Sequence, residues 1–419
     1  MNTKKPAALK YFDMVKGENL TVEDLNQFTN EIKKVCTEFP PQVDKFNSIL
    51  NKKYDKVYAI GIGDSLYSAD SAKLDFWKKS GLQIEVLESQ EFNNYYIDYM
   101  PKNSLVLICS GGGSAARTVE SSYLAQNRGA TVVAVTLTPQ SRLTASCQNV
   151  LCYSTDNNCY IDGSRNYMGL TLLLKIVGIK IGLWSGNIPA SEEQDIFDKI
   201  VNDMAIGFKA CMANEQTMKD LMKETMDKKK FYFLGAGPSM PLAQYGAAKF
   251  MEQSAADGIW QQLEEYGHEQ YWVHNRRGEN SVVFSICPDG KTVQRCLENM
   301  DEQNFLDLIT VLVTTKPINK SFSGKAKYTI ATDEFIEETD FWMAAGNIFA
   351  RMANFYTEYI EYTDKRFLSG EQFVEHYKTI HYSRFSPEVA QYDIPYPDDQ
   401  TIAERGAFGL TFNGPKEAE

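Results

Sequence analysis

Metal ligands are scarce in this chain. It has 419 residues with four histidines, eight cysteines without one C-x-x-C pair, and no H-x-x-x-H helix. A structural zinc needs four closely spaced ligands, so neither a metal centre nor any other cofactor is expected. The cysteines (Cys36, Cys109, Cys147, Cys152, Cys159, Cys211, Cys287 and Cys296) are scattered, several of them inside apolar runs where free Cys behaves as a small hydrophobe. That pattern predicts a reducing, cytoplasmic setting without disulfides. No run of about 18 apolar residues is present, so no membrane span is expected. The opening MNTKKPAALKYFDM has no apolar core and does not read as a secretory signal. Basic excess is missing too: the net charge is −12, which argues against a nucleic-acid partner. A phosphorylated small molecule remains compatible with an acidic protein, because a few oriented backbone N–H groups suffice to hold it.

What the chain does contain is an internal repeat. KVYAIGIGDSLYSADSAKLDFW from Lys56 aligns with KFYFLGAGPSMPLAQYGAAKFM from Lys230 at an offset of 174. Tyr58 then falls on Tyr232, Gly61 on Gly235, Gly63 on Gly237, Ser65 on Ser239, and Phe76 on Phe250. After a shift of three residues, SLVLICSGGG lies over SVVFSICPDG. An ordered series at nearly constant offset marks a duplication. In the first copy VYAIGIG, QIEVLE, SLVLICS, TVVAVT and NVLCYS read as buried strands. In the second, FYFLGAG, SVVFSIC, DLITVLVTT and YTIAT do. Alternation of such strands with helical segments predicts an α/β fold with mostly parallel sheets covered on both faces. The first 45 residues read as helical with a break at Pro40-Pro41, and Phe335–Tyr362 as one long amphipathic helix whose default place is the core. From Ser386 the chain is rich in Pro and Tyr and reads as an extended tail that wraps the body or hangs free.

Ligands of parallel α/β sheets sit at the carboxyl ends of strands. The most informative such end is Ser110-Gly111-Gly112-Gly113-Ser114, placed before a helical segment, where backbone N–H groups and a helix N-terminus can face an anion. Glycine required only for turn geometry gives the same sequence. No G-K-[ST] follows, and neither G-x-G turn has dinucleotide-binding spacing. The matching turn of the second copy, Pro288-Asp289-Gly290-Lys291, suits a phosphate less well, so the first copy is the anion-binding half. The second copy holds the reactive candidates. Gly246, Lys249 and Glu252 recur on one helix face, and His268 follows Glu252 by sixteen residues. A carboxylate with an imidazole can open a sugar ring and shuttle a proton between C1 and C2. Equally, a surface Glu and a loop His would look the same in sequence.

These residues resemble the sugar isomerase (SIS) domain family in its double-domain form, over roughly residues 45 to 365, including the isomerase half of glucosamine-6-phosphate synthase and the fructosamine-phosphate deglycases. The family's first turn falls on Gly63-Asp64-Ser65, its phosphate loop on Ser110–Ala115, and a later sugar-contacting serine near Ser164. Its G-A-x-K-x-x-E helix is Gly246-Ala247-Ala248-Lys249-Phe250-Met251-Glu252, and its E-x-x-H-G-P is Glu265–Gln270. The resemblance implies two tandem SIS domains, each a nucleotide-fold-like α-β-α sandwich, at 46–200 and 201–365. An N-terminal helical segment (1–45) precedes them and a C-terminal extension (366–419) follows. It implies Glu252 as general base, His268 as ring opener and Lys249 as the group that orients Glu252. Ser65, Ser110 and Gly111–Ser114 would hold the phosphate, and a homodimer or tetramer would form.

The chain departs from the family at named places. The phosphate loop lacks a second Ser and the Thr, leaving Ser114, Arg117 or Thr118 as possible replacements, or a different anion such as a sulfonate or carboxylate. Gly-Pro after the histidine is replaced by Glu269-Gln270, which alters the loop holding His268. A C-terminal lysine that closes over the sugar has no counterpart; His376, His381 and Arg384 are candidates for its place, with surface residues as the default. The expected function is a sugar-phosphate isomerase or deglycase working through an enediol or enamine. The alternative is a non-catalytic sugar-phosphate sensor.

Overall fold

The computed structural model describes residues 22–154, 164–277, 281–360, 370–392 and 394. Two five-stranded parallel sheets form. The first holds β1 (Lys56–Gly61), β2 (Ile84–Glu88), β3 (Ser104–Ser110), β4 (Thr131–Thr136) and β5 (Asn149–Cys152) in the order β2-β1-β3-β4-β5. The second holds β6 (Lys230–Gly235), β7 (Asp257–Gln262), β8 (Ser281–Ile286), β9 (Ile309–Thr314) and β10 (Tyr328–Ala331) in the order β10-β9-β8-β6-β7. Numbered from its own first strand, the second order is the first one read backwards, so the repeat in sequence is a repeat in topology. In both sheets the reversal of strand order lies beside the first strand, where the Gly63 and Gly237 turns leave it.

The principal helices are α1 (Val22–Glu38), α2 (Asp64–Ser80), α3 (Ala116–Asn127), α4 (Ser164–Ser185), α5 (Glu193–Ala213), α6 (Met240–Ser254), α7 (Leu263–Arg277), α8 (Val293–Phe305), α9 (Trp342–Tyr359) and α10 (Gly370–His381). The break read at Pro40-Pro41 is present: α1 ends at Glu38, and a short helix starts at Pro40. Because strand side chains alternate, each sheet feeds two cores. Val57, Ala59, Leu105 and Leu107 join Phe231, Phe233, Val282 and Phe284 in one continuous apolar mass that includes α2, α4, α6 and α9. Tyr58, Ile60, Val106 and Ile108 face the opposite way, into a core roofed by α3. Tyr232, Leu234, Val283 and Leu312 do the same beneath α7 and α8.

Helix α4 is apolar and long enough to pass for a membrane span over Asn166–Ser185, and most of that window is buried inside the protein. Its two lysines are both ion-paired. Lys175 lies 2.6 Å from Asp75 and 2.7 Å from Asp340. Lys180 meets Asp44 at 2.9 Å and Glu193 at 2.8 Å. The expected helix from Phe335 is shorter than read. It starts at Trp342, because Glu338–Asp340 form a 3-10 turn that sends its carboxylates elsewhere. The helix itself is core, with Trp342, Phe349, Phe355 and Tyr356 all buried.

Strand β7 was not anticipated. DGIWQQ has no apolar alternation, and only Gln261 of the six is buried, as befits an edge strand. Two cysteines expected within strands, Cys109 and Cys152, lie in β3 and β5. Among the described residues all cysteines are free.

His274 on α7 gives a pH prediction. It is 3 % exposed, hydrogen-bonded through Nδ1 to the Tyr266 hydroxyl at 3.0 Å, and set edge-on to Tyr232. Burial first, and then the charge of Lys230, lowers its pKa to about 4. The unfolded chain protonates near 6.5, so His274 contributes stability that is complete above that pH and is lost as pH falls toward 4. The sum is about 2–3 kcal/mol. Chemical denaturation at pH 7 and pH 4 should show His274→Phe losing less stability than the parent by that amount. Equal losses would show that His274 is not buried neutral.

Candidate active site between the two units

Strand β1 ends at Gly61, and after Ile62 Gly63 takes φ +54°, a left-handed turn open to glycine, before Asp64 starts α2. On the other unit, α6 leaves the end of β6 and lies flat against its sheet. Gly246 is what lets it do so: an added Cβ would stand 2.7 Å from the Phe233 ring and 3.1 Å from Phe349. One role of the Gly-x-x-Lys-x-x-Glu pattern is therefore close packing. It brings Lys249, 1 % exposed, to the seam between the units. There its Nζ is 2.9 Å from Asp64 Oδ2 and 2.5 Å from Glu252 Oε2.

A buried ammonium is costly unless paired, and here one carboxylate comes from each unit. Below it Tyr245 gives its ring face to the ammonium at 5.2 Å and stacks on Tyr167 of α4 at 4.2 Å. Tyr167 is tied to α2 by its hydroxyl, 2.7 Å from Ser71 Oγ, and by its carbonyl, which accepts from Ser68 at 2.9 Å. Burial, and then the charges of Asp64 and Glu252, raise the pKa of Tyr67, a half-buried neighbour that faces both carboxylates. Tyr67, Tyr167 and Tyr245 were not singled out in the sequence, where they read as ordinary helix-face aromatics.

The loop after β3 is joined to this seam. Gly111 N–H donates to Ser65 Oγ at 3.2 Å, and Gly113 N–H donates to Ser110 Oγ at 3.0 Å. Both hydroxyls expected at a phosphate thus accept from the loop's own backbone. The Gly111 carbonyl takes bonds from Thr136 and Thr138, which fix the loop against β4. Gly113 needs to be glycine: φ is +63°, and a Cβ would fall 2.1 Å from Ser141 Oγ. Gly112 lies between them, and Ser114 is buried just before α3, whose N-cap residue Ala115 supplies no side-chain bond. The first turn of α3 therefore presents backbone N–H groups beside the loop, a disposition suited to an anion.

Of the residues considered as replacements for the missing hydroxyls, Thr118 is bonded to Ser89 at 3.1 Å. Arg117 pairs with Glu120 and with the carbonyls of Ser383 and Arg384. Neither is turned to the loop. Ser114 Oγ instead meets His381 Nδ1 at 3.1 Å. The default reading of His381 as a surface residue is thus corrected; Arg384 is exposed, as that default had it. Ser164 opens α4, and its side chain lies outside the described residues.

The second unit's turn carries a different occupant. An added Cβ on Gly290 would lie 2.9 Å from the Glu338 carboxyl, whose pKa burial raises and the Lys291 N–H partly restores. The chain's own carboxylate fills the place that the first unit leaves to its glycine loop. That supports the inequality of the two copies.

His268 is not brought to Glu252. With Glu269-Gln270 in place of Gly-Pro nothing breaks the backbone, so the expected loop is the middle of α7. The His268 side chain is 68 % exposed, and its Nε2 lies 3.1 Å from Glu264. Exposed apolar side chains stand on α7, Trp272 and Val273, and on the elements that precede it, Met251 of α6 and Trp260 of β7. Among the described residues no cluster of three or more His, Cys, Asp or Glu is placed to hold a metal ion.

Fold and site together define a duplicated parallel α/β protein with a glycine-rich loop in one half and a buried Lys-Glu pair in the other. The SIS domain model matches residues 49–174, within the first unit, and the second unit repeats that unit's strand order. Glutamine–fructose-6-phosphate aminotransferase [isomerizing] of Pyrococcus horikoshii is 25 % identical over 258 residues, 60 % of this chain and 40 % of that protein. The enzyme of the same name from Thermotoga maritima is 22 % identical over 282 residues, 66 % of this chain and 45 % of that protein. The chain thus spans less than half the length of these relatives. The C-terminal domain of glucosamine-fructose-6-phosphate aminotransferase from Francisella tularensis superposes with a TM-score of 0.65 at 15 % identity, covering 80 % of this chain and 94 % of that one. A candidate tagatose-6-phosphate ketose/aldose isomerase from Clostridium novyi gives 0.66 at 16 % identity, covering 86 % and 94 %. The chain has the fold of phosphosugar isomerases.

Proposed function

We propose that the protein is an isomerase or deglycase of a phosphorylated, open-chain sugar, with its single site at the seam of the two units. The observation that carries this reading is Lys249, buried and shared between Asp64 of the anion-loop unit and Glu252 of the other. The lysine fixes one oxygen of Glu252, whose side chain is 43 % exposed, so the carboxylate can still reach a ligand. Glu252 takes the proton from C1 or C2 of the sugar, giving an enediol, or an enamine where the substrate bears nitrogen, and its return to the neighbouring carbon collapses that intermediate to the isomer. Gly111–Ser114 and the first turn of α3 hold the anionic end of the sugar.

A screen of aldose, ketose and fructosamine 6-phosphates, with the released amine measured separately, tests the reading and separates isomerase from deglycase. Binding of these compounds with turnover of none would favour a sensor instead.

His268 serves a second copy of the chain in this reading. It is exposed on α7 amid uncovered apolar side chains, where association would bury it. Glu252→Gln and His268→Ala, each inactive alone, should regain about a quarter of parental activity when their subunits are mixed, because half the dimers then hold one intact site. No recovery on mixing would place His268 outside the reaction.

A further inference from the structure

The segment after α10 is not a loose tail. Phe385, Val389 and Ile394 enter the core above α3. Arg128 clamps Glu388 at 2.7 Å, Tyr392 stacks on Tyr123 at 4.5 Å, and Glu120 Oε1 accepts the Ser386 N–H at 2.6 Å. Closer to the anion loop, Arg142, 2 % exposed, donates to the His381 carbonyl, and its guanidinium lies over the rings of Tyr382 at 5.3 Å and Phe385 at 5.1 Å. The same Nη1 reaches the Ser114 carbonyl at 3.5 Å. One arginine therefore binds the backbone of the anion loop and the backbone of the C-terminal segment together. The side chain so delivered is the imidazole of His381, with Nδ1 at 3.1 Å from Ser114 Oγ.

We propose that His381 is a positioning residue of the anion loop: its Nδ1–H donates to Ser114 Oγ, which turns the Ser114 O–H toward a bound tetrahedral oxyanion. This rests on the reading of Ser110–Ser114 as the anion site. A hydroxyl has one hydrogen and two acceptor positions, so whichever group donates to Ser114 decides where its proton points. The tautomer with the proton on Nδ1 leaves the Ser114 O–H to donate to the anion, which supplies one of the hydroxyl contacts that a run of three glycines cannot. Burial, followed by the charges of Arg142 and His376, lowers the His381 pKa to about 4. At neutral pH the ring then carries one N–H and competes for no anion as a cation. The C-terminal segment is on this account part of the substrate site.

Calorimetric titration of the full-length protein with inorganic phosphate at neutral pH tests the proposal. His381→Ala should weaken binding about five- to tenfold, the effect of one hydrogen bond. His381→Asn, whose amide N–H can stand where Nδ1–H stood, should restore it to within about twofold. Ser114→Ala should cost as much as His381→Ala, and adding His381→Asn or His381→Ala to it should cost nothing more. Because Ser114→Ala leaves the segment's anchors in place, that arm holds even where His381→Ala loosens the segment. Additive losses would mean that the segment only supports the fold, and would overturn the proposal. So would parental affinity in His381→Ala, with the anion loop itself left standing. A parent protein that binds no phosphate would remove the anion-loop reading and this proposal together.

Discussion

Glu252→Gln is expected to lower turnover of a phosphosugar by about two to four orders of magnitude, the usual worth of a positioned general base, with substrate binding changed by no more than a few fold. The amide keeps the shape of the carboxylate, and its oxygen can still accept from Lys249, now 2.5 Å from Glu252 Oε2. What it lacks is the capacity to take a proton from carbon. Loss of kcat with little change in KM is the signature of an interaction made in the transition state. Stability should barely move, since a half-exposed carboxylate gives a modest ion pair. Steady-state kinetics with denaturation as control checks both halves. A variant with full turnover would remove Glu252 from the chemistry.

Lys175→Met is expected to be the most destabilising single substitution at the junction of the units, by about 3–5 kcal/mol. Lys175 on α4 sits between Asp75 of α2 and Asp340, just before α9, and all three are almost wholly buried. Burial alone would lower the lysine's pKa, but Asp340 and Asp75 outweigh it and raise it. Asp340 is likewise opposed by burial and then held below the usual carboxylate range by Lys175 and Lys199. Removing the lysine leaves two carboxylates facing one another in the core. Denaturant unfolding measures the loss, and Asp75→Asn added to Lys175→Met should recover part of it. A loss under about 1 kcal/mol would mean that water reaches these groups.

Much of this architecture could be read from the sequence because its signals are periodic. Nine of the ten strands are apolar runs, and the offset of 174 carries β1 onto β6 and β2 onto β7. Strand β7 itself escaped, since DGIWQQ lies at an edge with one buried side chain and needs no apolar pattern. The start of α9 was misplaced because Glu338 and Asp340 look like helical surface carboxylates, yet they serve the Gly290 turn and Lys175.

The site was legible in part. Lys249 beside Glu252 follows from helical spacing, whereas the Asp64 contact is tertiary and leaves no local trace. The lost Gly-Pro signalled an altered loop at His268, but neither the helix that replaces it nor its outward direction was read. His381 lies 267 residues from Ser114, and only folding reveals their meeting. Sequence placed the glycine loop at the end of β3, where it lies. It did not show that Ser65 and Ser110 bind the loop's own N–H groups, which shifts attention to Ser114.

The central claim is one site made by two unequal copies. A crystal structure with a sugar 6-phosphate bound tests it most directly. The account predicts phosphate against Gly111–Ser114 and the first turn of α3, with C1 and C2 of the sugar beside Glu252. Phosphate at the Pro288–Lys291 turn of the second unit, or a sugar directed away from Glu252, would contradict it.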